Sequence, residues 1–269
     1  MSGRLEGKVA IVTGAGQGIG EAAVHRMAEE GARIVVSDIN AETGEAVAAA
    51  VRDAGGEAVF VPADVASLDD VRALMAATAD AFGRLDVLHN NAGVHETNFT
   101  AEAQSHELAE EIWDRVVGIN LKGVWMCSKY AVPLMADSGG GSIVNAASIG
   151  GIVGYPMGAA YGPSKAGVIQ LSRVMALELA PMNIRVNSYA PGNTDTPMVQ
   201  KYFSSGPPEE REMIKQQLIG THLIPRMGRP EEVANLVVFL AGDESSMITG
   251  ANVTIDMGTT AWRGIRAGA

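Results

Sequence analysis

The sequence predicts a single α/β domain over residues 1–269, in which a doubly wound, seven-stranded parallel sheet carries helices on both faces. Short runs rich in β-branched residues alternate with longer amphipathic stretches, which is typical of βαβ units and of a parallel sheet buried on both sides. No linker, repeat or change of composition divides the chain. One domain is therefore expected.

Seven segments have the composition of strands. They are VAIVT (9–13), RIVVSD (33–38), AVFVPAD (58–64), DVLHNNAG (86–93), SIVNAAS (142–148), IRVNSYAPG (184–192) and NVTID (252–256). Apolar residues at helical spacing predict helices between them. These lie near 18–31, 41–54, 68–83, 104–136, 160–180 and 230–241. Ser67 and Pro230, each followed by an acidic first turn, are suitable helix starts.

The longest stretch without a predicted element is 193–225, which contains Gly206, Pro207, Pro208 and Pro225. A connection of this length inside a compact domain usually has a function, so we predict a lid over a substrate. A surface excursion without a role is the alternative.

Composition restricts the possible partners. The net charge of −11 argues against nucleic acid and against an anionic membrane surface. The sequence contains no uninterrupted apolar run of about 18 residues, as a membrane span would need, and no apolar N-terminal region of a secretion signal. A cytoplasmic protein is therefore expected. The single cysteine, Cys127, precludes an intrachain disulfide and is expected to be buried and inert. The 5 histidines lack paired ligand spacing, so no metal is predicted.

A glycine-rich turn, TGAGQGIG (13–20), follows the first predicted strand and opens the first predicted helix. Glycines let the backbone approach a pyrophosphate, and the helix N-terminus offers free N–H groups to it. A dinucleotide site of Rossmann type is therefore predicted. Its expected contacts in the turn are Gly14, Gln17, Gly18, Ile19 and Gly20.

Asp38 ends the second predicted strand, 18 residues after Gly20. A carboxylate at this point can accept hydrogen bonds from the adenosine ribose and repels a 2′-phosphate. Position 17 is glutamine and not arginine, and no basic residue adjoins Asp38, so no side chain at either place would bind a 2′-phosphate. The predicted cofactor is therefore NAD instead of NADP. Asp38 as a cap of the next helix is an alternative that does not exclude this role.

The spacing of TGAGQGIG resembles the T-G-x-x-x-G-x-G pattern of the short-chain dehydrogenase/reductase family. Further landmarks of that family follow in order over roughly residues 6–258. They are Asp64-Val65, Asn90-Asn91-Ala92-Gly93, Asn120, Ser148, Tyr161 with Lys165, Pro191-Gly192 and Thr196. Any one of these could arise by chance, whereas their ordered occurrence at predicted strand ends is specific.

The resemblance implies further cofactor contacts. Asp64 and Val65 would contact adenine, and Asn91 would lie near the adenosine ribose. Gly93, two residues later, is a further expected cofactor contact. Thr194 and Thr196, after Pro191-Gly192, would hold the nicotinamide carboxamide, and Lys165 would bind the nicotinamide ribose. All of these positions except Lys165 lie at or just after predicted strand ends, where open α/β sheets bind ligands.

The pair Tyr161 and Lys165 in YGPSK suits hydride transfer, which needs a group that takes up or returns the proton of the alcohol. A lysine one turn away and a positively charged nicotinamide would stabilise tyrosinate and lower its pKa. Ser148 can donate a hydrogen bond to the substrate oxygen. By the resemblance, Asn120 holds a water that connects Lys165 to solvent.

Each role has a simpler alternative. Ser148 could only cap the following segment, and Asn120 could be a helix-interior amide bonded to backbone. Gly162 and Ser164 are interpreted as packing residues, as are Tyr155 and Trp262. His89 and His95 are expected to be structural or exposed. The joint presence of Asn120, Ser148, Tyr161 and Lys165 favours the catalytic interpretation.

Two departures from the family pattern limit what can be said of the substrate. The segment 94–112 looks several residues longer than the usual family loop, and Met257 interrupts a usual Asp-Gly-Gly ending. The predicted lid has an apolar set that suits a neutral alcohol, cyclic or steroid-like. It comprises Met198, Tyr202, Phe203, Leu218 and Ile219.

Three functions remain open: an NAD-dependent secondary-alcohol dehydrogenase or ketoreductase, an acyl-thioester ketoreductase, and a non-catalytic NAD sensor. Thioester reductases of this type usually prefer NADP and have basic residues for a carrier protein, which Asp38 and the acidic chain disfavour. The family resemblance also implies a homotetramer built on helices 104–136 and 160–180. Apolar residues on several sides of those helices are compatible with it. They include Val124, Trp125, Met126, Val168 and Leu171.

Overall fold

A computed structural model describes residues 3–201 and 207–261. It contains a seven-stranded parallel sheet in the order β3-β2-β1-β4-β5-β6-β7, which confirms the predicted fold class. The strands are β1 (Val9–Thr13), β2 (Arg33–Asp38), β3 (Ala58–Pro62), β4 (Val87–Asn90), β5 (Gly141–Ala146), β6 (Ile184–Pro191) and β7 (Asn252–Ile255).

The chain order reverses at β1, which pairs with β2 on one side and with β4 on the other. Val12 is the register partner of Val36 in β2 and of His89 in β4. At such a switch point the loops leave the carboxyl ends of the two strands in opposite directions, and a crevice opens between them. The residues that follow β1 and β4 therefore meet at one edge of the sheet.

Helices cover both faces of the sheet. They are α1 (Gly18–Glu29), α2 (Ala41–Asp53), α3 (Leu68–Phe82), α4 (Glu110–Val117), α5 (Val124–Asp137), α6 (Tyr161–Leu179), α7 (Pro197–Gln200), α8 (Pro208–Gly220) and α9 (Pro230–Ala241). Successive strand residues point to opposite faces. Val12 and Val36 accordingly pack on the face covered by α1 and α9, whereas Ile11 and Val35 pack on the face that carries α3 and α5.

Two predicted boundaries are wrong. The single helix predicted over 104–136 begins only at Glu110, and a π-helical turn at Gly118–Gly123 separates α4 from α5. The stretch 193–225, predicted without secondary structure, contains α7 and α8. Pro208 lies in the first turn of α8, ahead of two glutamates, where proline and acidic side chains favour a helix. The sequence therefore did contain a helix signal at this point.

A chain of buried polar side chains connects the middle of the sheet to the helices below the cleft. Asn90 donates to Asn145 (2.8 Å) and to Ser128 (3.0 Å). Asn145 in turn donates to Ser172 (2.9 Å). Because such bonds are costly to break in the interior, they fix β4 and β5 against α5 and α6.

Cys127 lies in α5 and is 1% exposed. Burial raises the pKa of its thiol to about 12, so the side chain is protonated at neutral pH and is the inert thiol that was predicted. Within the described residues no helix is long and apolar enough to cross a membrane. The same residues contain no cluster of three or more possible metal ligands.

His89 in β4 gives the fold an expected pH dependence. Its ring is fully buried beside the Tyr189 hydroxyl, and burial lowers its pKa to about 3. Between pH ~6.5 and ~3 the unfolded histidine binds a proton that the folded one does not. The free energy of unfolding should therefore fall on acidification by up to about 1.4 kcal/mol per pH unit from this residue alone.

Replacing His89 with glutamine should make the free energy of unfolding less dependent on pH, because close to one proton fewer is taken up on unfolding. The measurement is the slope of the free energy of unfolding against pH, from denaturant titrations between pH 6.5 and 4.5. The exposed His106→Gln variant should have the same slope as the parent protein. Parallel slopes for His89→Gln and the parent would show that the buried imidazole is not the acid-sensitive group.

Candidate active site

The glycine-rich turn lies between the ends of β1 and β4 and has no room for a side chain at Gly14. Gly14 and Gly18 have φ angles of 60° and 63°, a region that glycine adopts without strain. A Cβ atom on Gly14 would lie 2.7 Å from the Cα atom of Ala92. The hydroxyl of Thr13 accepts hydrogen bonds from the backbone amides of Asn91 (3.1 Å) and Ala92 (3.2 Å), and so holds the two strand ends together.

A cleft of about 340 Å³ runs along this edge of the sheet. Most of the predicted cofactor contacts line it. They are Gly14, Gln17, Gly18, Ile19, Asp38, Asp64, Val65, Asn91, Gly93, Tyr161, Lys165, Pro191 and Thr196. A backbone cradle without side chains at a helix N-terminus fits the pyrophosphate of a dinucleotide. The residues present therefore fit the predicted cofactor.

Three predicted contacts lie behind the wall of this cleft. A Cβ atom on Gly20 would lie 2.2 Å from the carbonyl oxygen of Gly14, so this glycine allows close packing under the turn. Thr194 is 4% exposed, and its hydroxyl donates to the carbonyl of Gly192 (3.1 Å). Thr194 and Gly192 thus shape the loop after β6 in this structure.

Asp38 is held at the end of β2 by two backbone amides. Its Oδ2 accepts a hydrogen bond from Gly16 (2.8 Å), and its Oδ1 accepts one from Asn40 (2.9 Å). The N-cap of α2 is Asn40, whose side chain accepts from Glu42 and Thr43, so the alternative of Asp38 as that cap is wrong. The next residue, Ile39, is 73% exposed and also lines the cleft.

Tyr161 and Lys165 lie one turn apart at the start of α6. The Lys165 ammonium is 5.6 Å from the centre of the Tyr161 ring and donates to the carbonyl of Ala146, at the end of β5, over 2.7 Å. Ser148, just after β5, hydrogen-bonds Tyr161 and accepts from the amide of Gly150 (3.1 Å). The structure therefore brings three of the four predicted catalytic side chains together.

Asn120 lies in the π-helical turn, and its side chain bonds to another segment instead of its own helix. Its amide donates to the carbonyl of Val94 (2.8 Å) and accepts from the amide of the same residue (2.9 Å). A Cβ atom on Gly93 would lie 3.3 Å from both the Asn120 Oδ1 and the Lys165 Nζ. Asn120 and Lys165 therefore approach the same point, where a larger residue than glycine would crowd both side chains.

The titration behaviour of the pair is set by burial. Lys165 is 3% exposed, and burial lowers its pKa to about 8, so the ammonium persists at neutral pH. Burial raises the pKa of Tyr161, the Ser148 hydrogen bond lowers it, and the charge of Glu96 raises it. Without further positive charge the tyrosine is therefore a proton donor at neutral pH.

Sequence reasoning missed three residues around Tyr161. Ser164, interpreted as packing, accepts from Asn120 (3.1 Å) and donates to the carbonyl of Tyr161 (2.7 Å). His95 is buried, as one of its predicted alternatives allows, but its ring centre lies only 4.8 Å from that of Tyr161. Glu96 is fully buried. The unusual length of segment 94–112 was the only signal for the last two.

The predicted lid contributes little apolar surface in the described residues. Met198 lines the cleft, whereas Leu218 and Ile219 of α8 do not. Tyr202 and Phe203 lie outside the described residues. Apolar character comes instead from the loop after β4, through Val94 and Phe99, and from the π-helical turn, through Ile119. The apolar residues that face the cleft are thus mostly not those predicted.

The chain is similar to known oxidoreductases in sequence and in fold. A family model described as enoyl-(acyl carrier protein) reductase matches residues 14–260. A cis-4-hydroxycyclohexanecarboxylate dehydrogenase of Sinomonas cyclohexanicum is 44% identical over 94% of this chain and 97% of its own. A 3-oxoacyl-[acyl-carrier-protein] reductase of Thermotoga maritima is 40% identical, over 95% and 98% of the two chains. The crystal structure of a short-chain type dehydrogenase/reductase from Mycobacterium marinum superimposes with a TM-score of 0.87 at 32% identity, over 96% and 97%.

Proposed function

The chain belongs to the short-chain dehydrogenase/reductase family and is an oxidoreductase acting on CH–OH groups; from this we propose that it transfers hydride between NAD(H) and a secondary alcohol or ketone. The observation that carries the proposal is the position of the Tyr161 hydroxyl group. Tyr161 lines the same cleft as the glycine cradle, and the centre of its ring lies 5.6 Å from the buried Lys165 ammonium. This arrangement supports a proton-transfer role for Tyr161 next to the expected hydride carrier.

The nicotinamide cofactor supplies the hydride or accepts it. Tyr161 takes the alcohol proton during oxidation and returns it during reduction. Ser148 donates a hydrogen bond to the substrate oxygen, where negative charge grows as a ketone is reduced. The ammonium of Lys165 stabilises tyrosinate, and lowering a tyrosine pKa by about three units corresponds to about 4 kcal/mol. A buried cation can contribute a large part of that sum.

Asp38 supports NAD as the cofactor. Its carboxylate is fixed by two backbone amides at the carboxyl end of β2, where it would accept hydrogen bonds from ribose hydroxyls and repel a 2′-phosphate. The exposed neighbour Ile39 offers no charge to a phosphate.

For the substrate we favour a ring-shaped secondary alcohol. The relative with 44% identity is named for oxidation of a hydroxycyclohexane carboxylate, and the cleft near Tyr161 has apolar walls at Val94, Phe99 and Met198. A 3-oxoacyl thioester is the second candidate, because a relative with 40% identity is named for it. Asp38 and the net charge of −11 count against this second candidate, since such reductases usually combine NADP with basic residues.

The test is the initial rate of NAD⁺ and NADP⁺ reduction with a panel of cyclohexanols, hydroxycyclohexane carboxylates, cyclic diols and hydroxysteroids. A 3-oxoacyl thioester is assayed in the reverse direction with NADH and NADPH. We expect turnover of ring alcohols with NAD⁺. Turnover of the thioester with NADPH alone would replace the first candidate by the second. The absence of turnover over the whole panel would contradict both.

A homotetramer is part of the proposal. Val124, Met126 and Val168, which contribute to the apolar character of the two predicted helices, are buried within the chain. However, Trp125, Val174 and Leu177 on α5 and α6 are 42%, 40% and 81% exposed. Exposed large apolar side chains on two neighbouring helices favour association of copies of the chain. Light scattering at micromolar concentration should give four times the mass of 28.0 kDa; a monomer mass would contradict the proposal.

A further inference from the structure

Glu96 is a buried carboxylate beside Tyr161 that the proposed chemistry leaves without a role. It opens a short 3₁₀ turn, Glu96–Asn98, in the loop after β4 and is 0% exposed. One carboxylate oxygen, Oε1, accepts a hydrogen bond from the amide of Ala160 (2.9 Å). The other, Oε2, accepts one from the amide of Tyr161 (3.2 Å). The side chain therefore caps α6 from a segment 64 positions away in sequence.

The first turn of α6 has no local source for this cap. The N-cap residue, Ala160, has no side-chain acceptor, whereas helix N-termini need partners for their first amides. Gly162 donates to the carbonyl of Gly158 (3.0 Å), Pro163 has no N–H, and Ser164 begins the helical ladder at Ala160 (3.0 Å). Glu96 therefore satisfies the two remaining amides, one of which belongs to Tyr161.

The loop that carries Glu96 is itself fixed against Tyr161. His95 Nδ1 accepts from the amide of Thr97 (3.2 Å), so the neutral ring carries its proton on Nε2 and donates it to the Tyr155 hydroxyl (3.1 Å). The His95 ring faces the Tyr161 ring. A movement of Glu96 would therefore disturb both the backbone and the ring of Tyr161.

The ionisable groups around Tyr161 come from four elements. Lys165 lies on the same helix, Ser148 follows β5, Tyr189 belongs to β6, and His95 and Glu96 lie on the loop after β4. Burial lowers the pKa of His95 and raises that of Tyr189, so both are neutral near pH 7. The two charges that act on Tyr161 are thus the Lys165 ammonium, which favours tyrosinate, and the Glu96 carboxylate, which disfavours it.

We propose that Glu96 is a positioning residue for Tyr161: its carboxylate fixes the first turn of α6, and its charge raises the pH at which Tyr161 gives up its proton. This inference rests on the proposed function of Tyr161. A helix cap without an electrostatic role would affect stability and rate but would leave that pH unchanged.

Two substitutions separate charge from geometry. Glu96→Gln keeps the size but removes the charge, and its NH₂ group leaves one of the two amides without an acceptor. A fall in kcat is therefore expected here as well, but only the loss of charge should move the acidic limb of log kcat/KM for alcohol oxidation, to lower pH by about half a unit to one unit. Glu96→Asp keeps the charge but shortens the side chain. It should leave the limb in place while kcat falls about tenfold, because the shorter carboxylate cannot reach both amides. The control is Glu102→Gln, which removes an exposed carboxylate in the same loop. It should have the acidic limb and the kcat of the parent.

The second readout does not depend on turnover. The tyrosinate absorbance near 295 nm is titrated for the parent and for Glu96→Gln, each against its own Tyr161→Phe counterpart. The Tyr161 contribution should appear at lower pH in the Glu96→Gln protein. If the parent oxidises no alcohol of the panel, the proposed function fails, and this titration still decides the inference.

The electrostatic role would be overturned if the parent and Glu96→Gln had the same acidic limb of log kcat/KM and the same tyrosinate absorbance titration. A Glu96→Asp protein with the parent's kcat would overturn the positioning role. Melting temperature and NADH binding identify a Glu96→Gln protein that does not fold. In that case the Glu96→Asp comparison alone decides the positioning role, and an acidic limb displaced in Glu96→Asp would overturn the electrostatic one.

Discussion

Replacing Tyr161 with phenylalanine should lower kcat for alcohol oxidation about 10³-fold, which corresponds to about 4 kcal/mol of transition-state stabilisation. The variant loses the hydroxyl that exchanges the proton with substrate, but its ring can keep the contact with His95. Binding of NADH, followed by fluorescence titration, should therefore change by less than about threefold. This combination of lost turnover and retained binding is the expected result for an enzyme.

Tyr130→Phe is the matched control. Its hydroxyl lies on α5, 3.5 Å from Arg72 and outside the cleft lining, so the variant should retain the parent's kcat. Turnover by Tyr161→Phe within tenfold of the parent would contradict the role of the tyrosine. A parent protein that binds NADH and turns over no substrate would instead favour an NAD sensor.

The double substitution Asp38→Ser and Ile39→Arg should reverse cofactor preference. The loss of the carboxylate removes hydrogen bonds to the ribose, each worth about 1.5–3 kcal/mol when one partner is charged. The arginine can then pair with a 2′-phosphate. We expect kcat/KM for NAD⁺ to fall about 100-fold and that for NADP⁺ to rise about tenfold, a change of about 4 kcal/mol in preference.

The single variants locate the effect. Asp38→Ser alone should weaken NAD⁺ use and gain little with NADP⁺, and Ile39→Arg alone should leave the repulsion by Asp38 in place. Asp69→Ser, on the exposed first turn of α3, should not alter the ratio of the two cofactors. A double variant that still prefers NAD⁺ by the parent's margin would show that another group excludes the 2′-phosphate.

The sequence predicted the sheet and the reaction centre because both depend on local patterns. β-branched runs alternating with amphipathic stretches predicted the strands, and the fixed spacings in TGAGQGIG and YGPSK identified residues at their ends. Each of these motifs lies within a single turn or loop, so that spacing along the chain fixes geometry in space.

Glu96 could not be found in this way. Its function depends on contacts with Ala160 and Tyr161, which only the folded chain brings together. A glutamate in a polar loop has no periodicity that distinguishes it from the exposed Glu102. Ser164 was missed for a similar reason, because its partner Asn120 lies 44 positions away.

The secondary structure of 193–225 was predicted wrongly for a different reason. Prolines in 193–225 were interpreted as breaks, although Pro197 and Pro208 stand in the first turns of α7 and α8, where proline is tolerated. Of the apolar residues assigned to the substrate from this stretch, Met198 lines the cleft, whereas Leu218 and Ile219 do not. Val94 and Phe99, on the loop after β4, line the cleft instead.

The side chains around the reaction centre make their hydrogen bonds largely with main-chain atoms. Asn120 bonds to the backbone of Val94, Lys165 to the carbonyl of Ala146, and Ser148 to the amide of Gly150. A backbone N–H or carbonyl group remains available as a hydrogen-bond partner when the side chain of the same residue is substituted. Positions such as 94 and 146 can therefore diverge in evolution without re-optimisation of the proton-transfer groups, which leaves this scaffold free to acquire new substrates by drift in its cleft walls.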